Sequence, residues 1–192
     1  CQSTAFMNTQ PCLAQLLFHP NLVDPAAAVI GSPNVQLHHT LMHSKPPKIG
    51  AAFPMHQDYD YFPHKLDTMI AATLYLDDAD TENGCLCVYP GSHKGGYIEQ
   101  HVHQGSHHLP MDQYPIEGAT PVPMKAGDLL IFSYLTIHGS TPNTSDTWRR
   151  MLLFEFRSPL DSRKNDPEGS VGQGLIVRGV HPNPVPKEKK SY

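Results

Sequence analysis

The chain has 192 residues, 39% of them hydrophobic and 17% charged, with a formal net charge of −4 when the histidines are neutral. That length suits one domain with a sizeable core. The negative balance offers no basic field for nucleic acid and no reason to expect a membrane surface as partner. No stretch reaches the ~18 apolar residues a membrane span needs, and no signal peptide is visible.

The opening "CQSTAFMN" has no initiator methionine and reads as N-terminally incomplete, which leaves an N-terminal address open. Cys1, Cys12, Cys85 and Cys87 show no framework spacing. They read as free thiols in a reducing compartment, so the expected location is cytoplasmic. Residues 11–31 read as two short helices: Pro11 and Pro25 suit first-turn positions, Asp24 an N-cap for the second, and Gly31 its stop. From residue 34 the pattern becomes short runs punctuated by turns, at 34–43, 54–62, 68–76, 85–89, 120–124, 128–138 and 150–157. "ENG" at 82–84 and "PGSHKGG" at 90–96 supply turn chemistry. A mainly β sandwich or jelly roll follows, as one domain with a helical flank at 11–31, a core at 34–158 and a C-terminal extension at 159–192. The polar, non-periodic stretch 97–118 reads as a long loop, and the proline-spaced, basic tail from 181 as extended chain.

"PMHQDYDYFPHK" (54–65) holds the first chemical signal. On a strand His56 and Asp58 share a face and aim at one point. An imidazole and a carboxylate so placed are two ligands of a three-ligand metal face, although such pairs also occur in surface strands. "GDLLIFSYLTIHGSTPN" (127–143) brings His138 to the end of an apolar run, where it is either the third ligand or a core histidine. Arg149 follows eleven residues later at the start of another run. Its rigid donor fork suits a carboxylate. Arg150 faces the other way.

Order and spacing of "SPNVQLHHTLMHSKPP", "HQDYDYFP", "ENGCLCVYPGSHKG" and "GDLLIFSYLTIHGS" with Arg149 resemble the phytanoyl-CoA dioxygenase (PhyH) family over about residues 32–158. The resemblance implies a cupin-like double-stranded β-helix with a few flanking short helices. It further implies an Fe(II) centre held by His56, Asp58 and His138, with 2-oxoglutarate as co-substrate and O2 as oxidant. Arg149, Ser140, Gln36 and Thr73 would contact 2-oxoglutarate. Relatives often place a bulky aromatic beside the co-substrate, where this chain has Leu74 between Thr73 and Tyr75. Related halogenases lack a carboxylate at the position of Asp58, so the aspartate implies hydroxylation.

The substrate expected from this reading is a small molecule met by His38, His43, Lys45, Tyr59, Tyr61, Phe62 and the 97–118 segment. Rival readings are a zinc-type hydrolase on the same three ligands and a non-catalytic or metal-sensing jelly roll. Oligomeric state does not follow from the sequence.

Overall fold

The computed structural model describes residues 2–4, 11–103, 106–164 and 169–182. Cys1, nearly all of the basic tail, and residues 104–105 inside the long polar stretch lie outside them. The strands in chain order are β1 (Gln2–Thr4), β2 (Val35–Lys45), β3 (Phe53–His56), β4 (Ile70–Tyr75), β5 (Leu86–Val88), β6 (His101–His103), β7 (Ser106–His108), β8 (Thr120–Val122), β9 (Leu129–Ser133), β10 (His138–Ser140), β11 (Arg149–Arg157) and β12 (Ile176–Arg178). Two helices, α1 (Pro11–Leu16) and α2 (Pro20–Ile30), precede β2. One sheet runs β1-β2-β11-β4-β9 with β12 also on β2, and a second runs β3-β10-β5-β8. Consecutive pairs in both sheets are antiparallel. This is the expected double-stranded β-helix, with a deep cavity lined from both sheets.

The alternation along β11 decides which way everything faces. Leu152, Phe154 and Phe156 are fully buried on one side, packed with Val35, Leu37, Leu22, Val23 and Ala26 under the helices. Burying each such side chain contributes about 1.5–3 kcal/mol. The intervening Arg149, Met151, Leu153 and Glu155 line the cavity. Arg150 is exposed and holds Asp77 with both ends of its guanidinium, Nε to Oδ2 at 2.8 Å and Nη2 to Oδ1 at 2.8 Å. On β2 the register slips: His39 faces Glu155 but Leu37 faces Phe156, leaving His38 without a cross-strand partner. This β-bulge re-aims the strand, so Leu37 faces the helices while His39, Leu41, His43 and Lys45 face the cavity.

Several elements differ from what the sequence suggests. The second helix begins at Pro20 with His19 as its N-cap, whose Nδ1 accepts from Asn21 N at 3.2 Å. Pro25 therefore lies inside the helix, and Asp24 is spent on Arg178 Nε at 2.7 Å. Gly31 does end the helix, with φ 72 in the left-handed region that glycine adopts without strain. The run 54–62 divides into β3 and a 3-10 turn at Asp58–Asp60, and the run 128–138 into β9 and β10. The stretch 97–118 is a hairpin of β6 and β7 followed by a 3-10 turn at Ile116–Gly118. The extension after 158 returns β12 to the edge of β2. Among the described residues, no helix is long and apolar enough to cross a membrane.

Candidate metal centre and its cavity

His56 closes β3 and His138 opens β10, and the two are direct partners across that antiparallel pair. Asp58 heads the turn immediately after β3, its backbone N–H donating to Tyr134 O at 2.9 Å. The three side chains are brought together by a strand pair plus a turn, rather than by one strand face. A ligand atom from each lies within 4.8 Å of the other two. His56 Nε2 is 3.3 Å and His138 Nε2 3.6 Å from Asp58 Oδ1.

Both imidazoles are oriented by the same device. His56 Nδ1 donates to Pro54 O at 2.9 Å and His138 Nδ1 to Thr136 O at 2.9 Å. A carbonyl only accepts, so the proton sits on Nδ1 and the Nε2 lone pair faces the centre, the tautomer a metal requires. Burial pushes His138 down to about 4 despite the opposing pull of Asp58, so the ring is neutral. Gln57, between the two ligands, is wholly buried. Its Nε2 donates to Gly96 O at 2.9 Å and Leu135 O at 2.6 Å, and its Oε1 accepts from Ile98 N at 2.9 Å. Nothing local to Gln57 signals this clamp, because its partners come from distant loops.

Two bare imidazole nitrogens and one ionised carboxylate, all buried, fit a divalent metal. This donor set leaves octahedral positions open for other ligands, as in non-haem iron oxygenases.

The centre opens into a cavity of about 850 Å3, large enough for a co-substrate and a small second molecule. Arg149 lies in its wall at 2% exposure, with Nε and Nη1 lacking any hydrogen-bond partner among the described residues. Burial lowers even this guanidinium below its ordinary value. A buried cation in a cavity wall suits an anion in that cavity. Ser140 and Thr73 line the same cavity, although Thr73 Oγ1 already donates to Leu130 O at 3.1 Å. Lys45 faces Arg149 across β2 and β11, with its Nζ donating to Thr141 O.

Not every anticipated residue reaches this space. Lys45, Tyr61, His43 and Phe62 line the cavity, and Ser106 of β7 brings the polar hairpin to it. Gln36 does not. Its Oε1 accepts from Arg157 Nε at 2.9 Å, Arg157 being its cross-strand partner on β11, and its Nε2 donates to Gly174 O at 3.2 Å. His38 is the bulge residue itself, buried against Phe62 and His64, and it is His39 that lines the cavity. Tyr59 packs beside Tyr97 and Tyr134 and accepts from Lys164 Nζ at 2.6 Å, away from the centre. Leu74 points outward against the helices, so the inward residues of β4 are Thr73 and Tyr75. Glu155, His39 and Arg163 line the cavity without having been anticipated. Glu155 shares its two-residue period with Arg149, a signal that was present in "RRMLLFEF".

Fold and centre together define a jelly-roll protein with a two-histidine, one-carboxylate metal site. Residues 2–151 match the phytanoyl-CoA dioxygenase (PhyH) family profile, and the chain belongs to that family. A Caenorhabditis elegans protein named "Probable phytanoyl-CoA dioxygenase" is 30% identical over 181 residues, covering 86% of this chain and 57% of its own length. The human peroxisomal phytanoyl-CoA dioxygenase is 32% identical over 155 residues, 74% of this chain and 45% of its own. The chain thus spans about half the length of the curated relatives it matches. Among solved structures, EvdO2 from Micromonospora carbonacea var. aurantiaca, complexed with 2-oxoglutarate, shares the fold with a TM-score of 0.70. It is 24% identical, over 88% of this chain and 70% of that one.

Proposed function

We propose that this protein is an Fe(II)- and 2-oxoglutarate-dependent dioxygenase that hydroxylates an unactivated C–H bond of a small organic molecule, with release of succinate and CO2. When bound, iron and 2-oxoglutarate supply the oxidative decarboxylation that activates O2. The chain's own residues do the rest. His56, Asp58 and His138 would hold the metal and fix its orientation, and none acts as an acid or base. Arg149, with Ser140 lining the same cavity, would take the distal carboxylate of 2-oxoglutarate. Leu41, Phe53, Leu86, Phe132, Met151 and Leu153 line the cavity with apolar surface that excludes water from the reacting groups. Asp58 would take a coordination position that a halide would need, which favours hydroxylation.

The observation that carries this reading is the buried guanidinium of Arg149, its Nε and Nη1 without a hydrogen-bond partner among the described residues, in the same cavity as the three ligands. A zinc hydrolase has no use for it; a dicarboxylate co-substrate does. The test is an anaerobic titration of the metal-free protein with Fe(II) and then 2-oxoglutarate, following the visible metal-to-ligand charge-transfer band, with Arg149→Ala alongside. A band in the wild type that needs far more 2-oxoglutarate in the variant is expected. Bound iron that never yields the band would overturn the reading in favour of hydrolysis or metal sensing.

A further inference from the structure

Glu155 is a second buried ionisable group in the cavity wall that the chemistry above does not employ. It is 1% exposed, and its Oε2 has no hydrogen-bond partner among the described residues. Burial first, and then the nearby Asp58 charge, hold its pKa well above the ordinary carboxylate range.

Position separates Glu155 from the co-substrate. Arg149, Met151, Leu153 and Glu155 are the inward residues of β11, so Glu155 lies six residues, about 20 Å, from Arg149 along the strand. Its cross-strand neighbours are His39 on β2 and Ala71 on β4. Ala71 is a bare methyl, and His39 is occupied through its Nδ1, 2.7 Å from His38 Nδ1. Burial lowers His39 to about 4, so its ring is neutral and gives Glu155 no cation. Glu155 and His39 line the same cavity as His56, Asp58 and His138.

The carboxyl is already unsatisfied in the free protein, and a hydrocarbon chain in that space would leave it so. A ligand group that satisfies such an orphaned buried group gains about tenfold to hundredfold in binding. A substrate that brings a hydroxyl or an ammonium to the carboxyl makes that gain, and the same contact would fix which C–H faces the metal.

We infer that Glu155 is a substrate-recognition residue, and that the substrate presents a polar hydrogen-bonding group, a hydroxyl or an ammonium, to it. The inference rests on the dioxygenase reading for the presence of a substrate at the metal. It narrows the class to small polar molecules and away from wholly hydrocarbon chains.

The test uses the anaerobic Fe(II)–2-oxoglutarate complex of the wild type, Glu155→Gln and Glu155→Leu. Three ring probes of similar shape serve as ligands: cyclohexanol, cyclohexylammonium and methylcyclohexane. Binding is read from perturbation of the charge-transfer band and from paramagnetic broadening of the probe signals. The wild type is expected to bind at least one polar probe about tenfold or more tighter than methylcyclohexane, and Glu155→Leu to reverse that order. The isosteric Glu155→Gln keeps an acceptor but no charge, so it retains a preference for the alcohol and loses one for the ammonium. The same order of probes in the wild type and Glu155→Leu, absence of all binding included, overturns the inference. Failure of the band itself to form in the wild type would count against the dioxygenase reading instead, so the two failures are distinct.

Discussion

His56 and His138 face each other directly across the β3–β10 pair, with ring centroids 4.2 Å apart and both Nε2 atoms turned to Asp58. The metal centre is therefore a property of one strand pairing, and its members act as a unit. His138→Ala and Asp58→Ala should each weaken Fe(II) binding by more than the roughly 10–100-fold typical of losing an outer partner of a ligand. The double variant should be little worse than either. Competition with a chelating dye measures this; Fe(II) affinity within threefold of wild type in Asp58→Ala would remove that residue from the ligand set.

Gly139 sits between His138 and Ser140, and its side-chain position is already occupied. A Cβ there would lie 2.6 Å from Met55 Sδ and 2.6 Å from Phe53 O. The sulfur can move, but the carbonyl belongs to β3, so Gly139→Ala must push β10 away from β3. Iron affinity should fall about tenfold or more with all three ligands intact, and thermal stability should fall as well. Gly95→Ala, where nothing lies within 4 Å, serves as the control and should change neither.

How much of this was legible in the sequence depends on how local the cause is. The three ligands, Arg149 and the jelly-roll class could be read because ligand type, turn punctuation and the order of motifs survive without coordinates. The facing of β2 could not. A bulge at His38 inverts the alternation along the strand, which takes His38 off the cavity and brings His39 in, while Gln36 lies beyond Glu155, opposite Arg157 and bonded to it. Tyr59 was misplaced for a related reason: the strand period stops at His56, and a 3-10 turn swings Tyr59 towards Tyr97 and Tyr134. Pro25 misled because a helix tolerates proline near its start, and the cap was His19.

Arg149 makes opposite predictions for stability and for binding. With no anion in the cavity, its buried and partly unpartnered guanidinium is a cost to the fold. Arg149→Met should leave the 2-oxoglutarate-free protein as stable as the wild type or stabilise it, by about 1–3 kcal/mol. The same change should weaken 2-oxoglutarate binding by about 2–5 kcal/mol and abolish the rise in Tm that 2-oxoglutarate gives the wild type. Arg149→Lys should not restore affinity, since an ammonium lacks the planar fork. A pair of melting curves with and without 2-oxoglutarate decides it, and a large loss of Tm in the ligand-free variant would mean that Arg149 is a structural residue.

Lys45 adds a pH dependence to the same end of the cavity. It faces Arg149 across the strands, and burial, then Arg149, lower its pKa from 10.5 to about 7. Below that value two cations await the co-substrate dianion, and above it only Arg149 does. The dissociation constant for 2-oxoglutarate should therefore rise roughly three- to tenfold as pH goes from about 6 to about 8. In Lys45→Met this dependence should be lost. The stability of the ligand-free protein moves the other way. Between about 7 and 10.5 the unfolded chain holds a proton on this lysine that the folded chain has released, so its contribution to stability increases with pH across that window. Titrations of 2-oxoglutarate at three pH values, paired with Tm measurements at the same values, test both signs. A wild-type affinity that does not vary with pH would show that the Lys45 ammonium takes no part in holding the co-substrate.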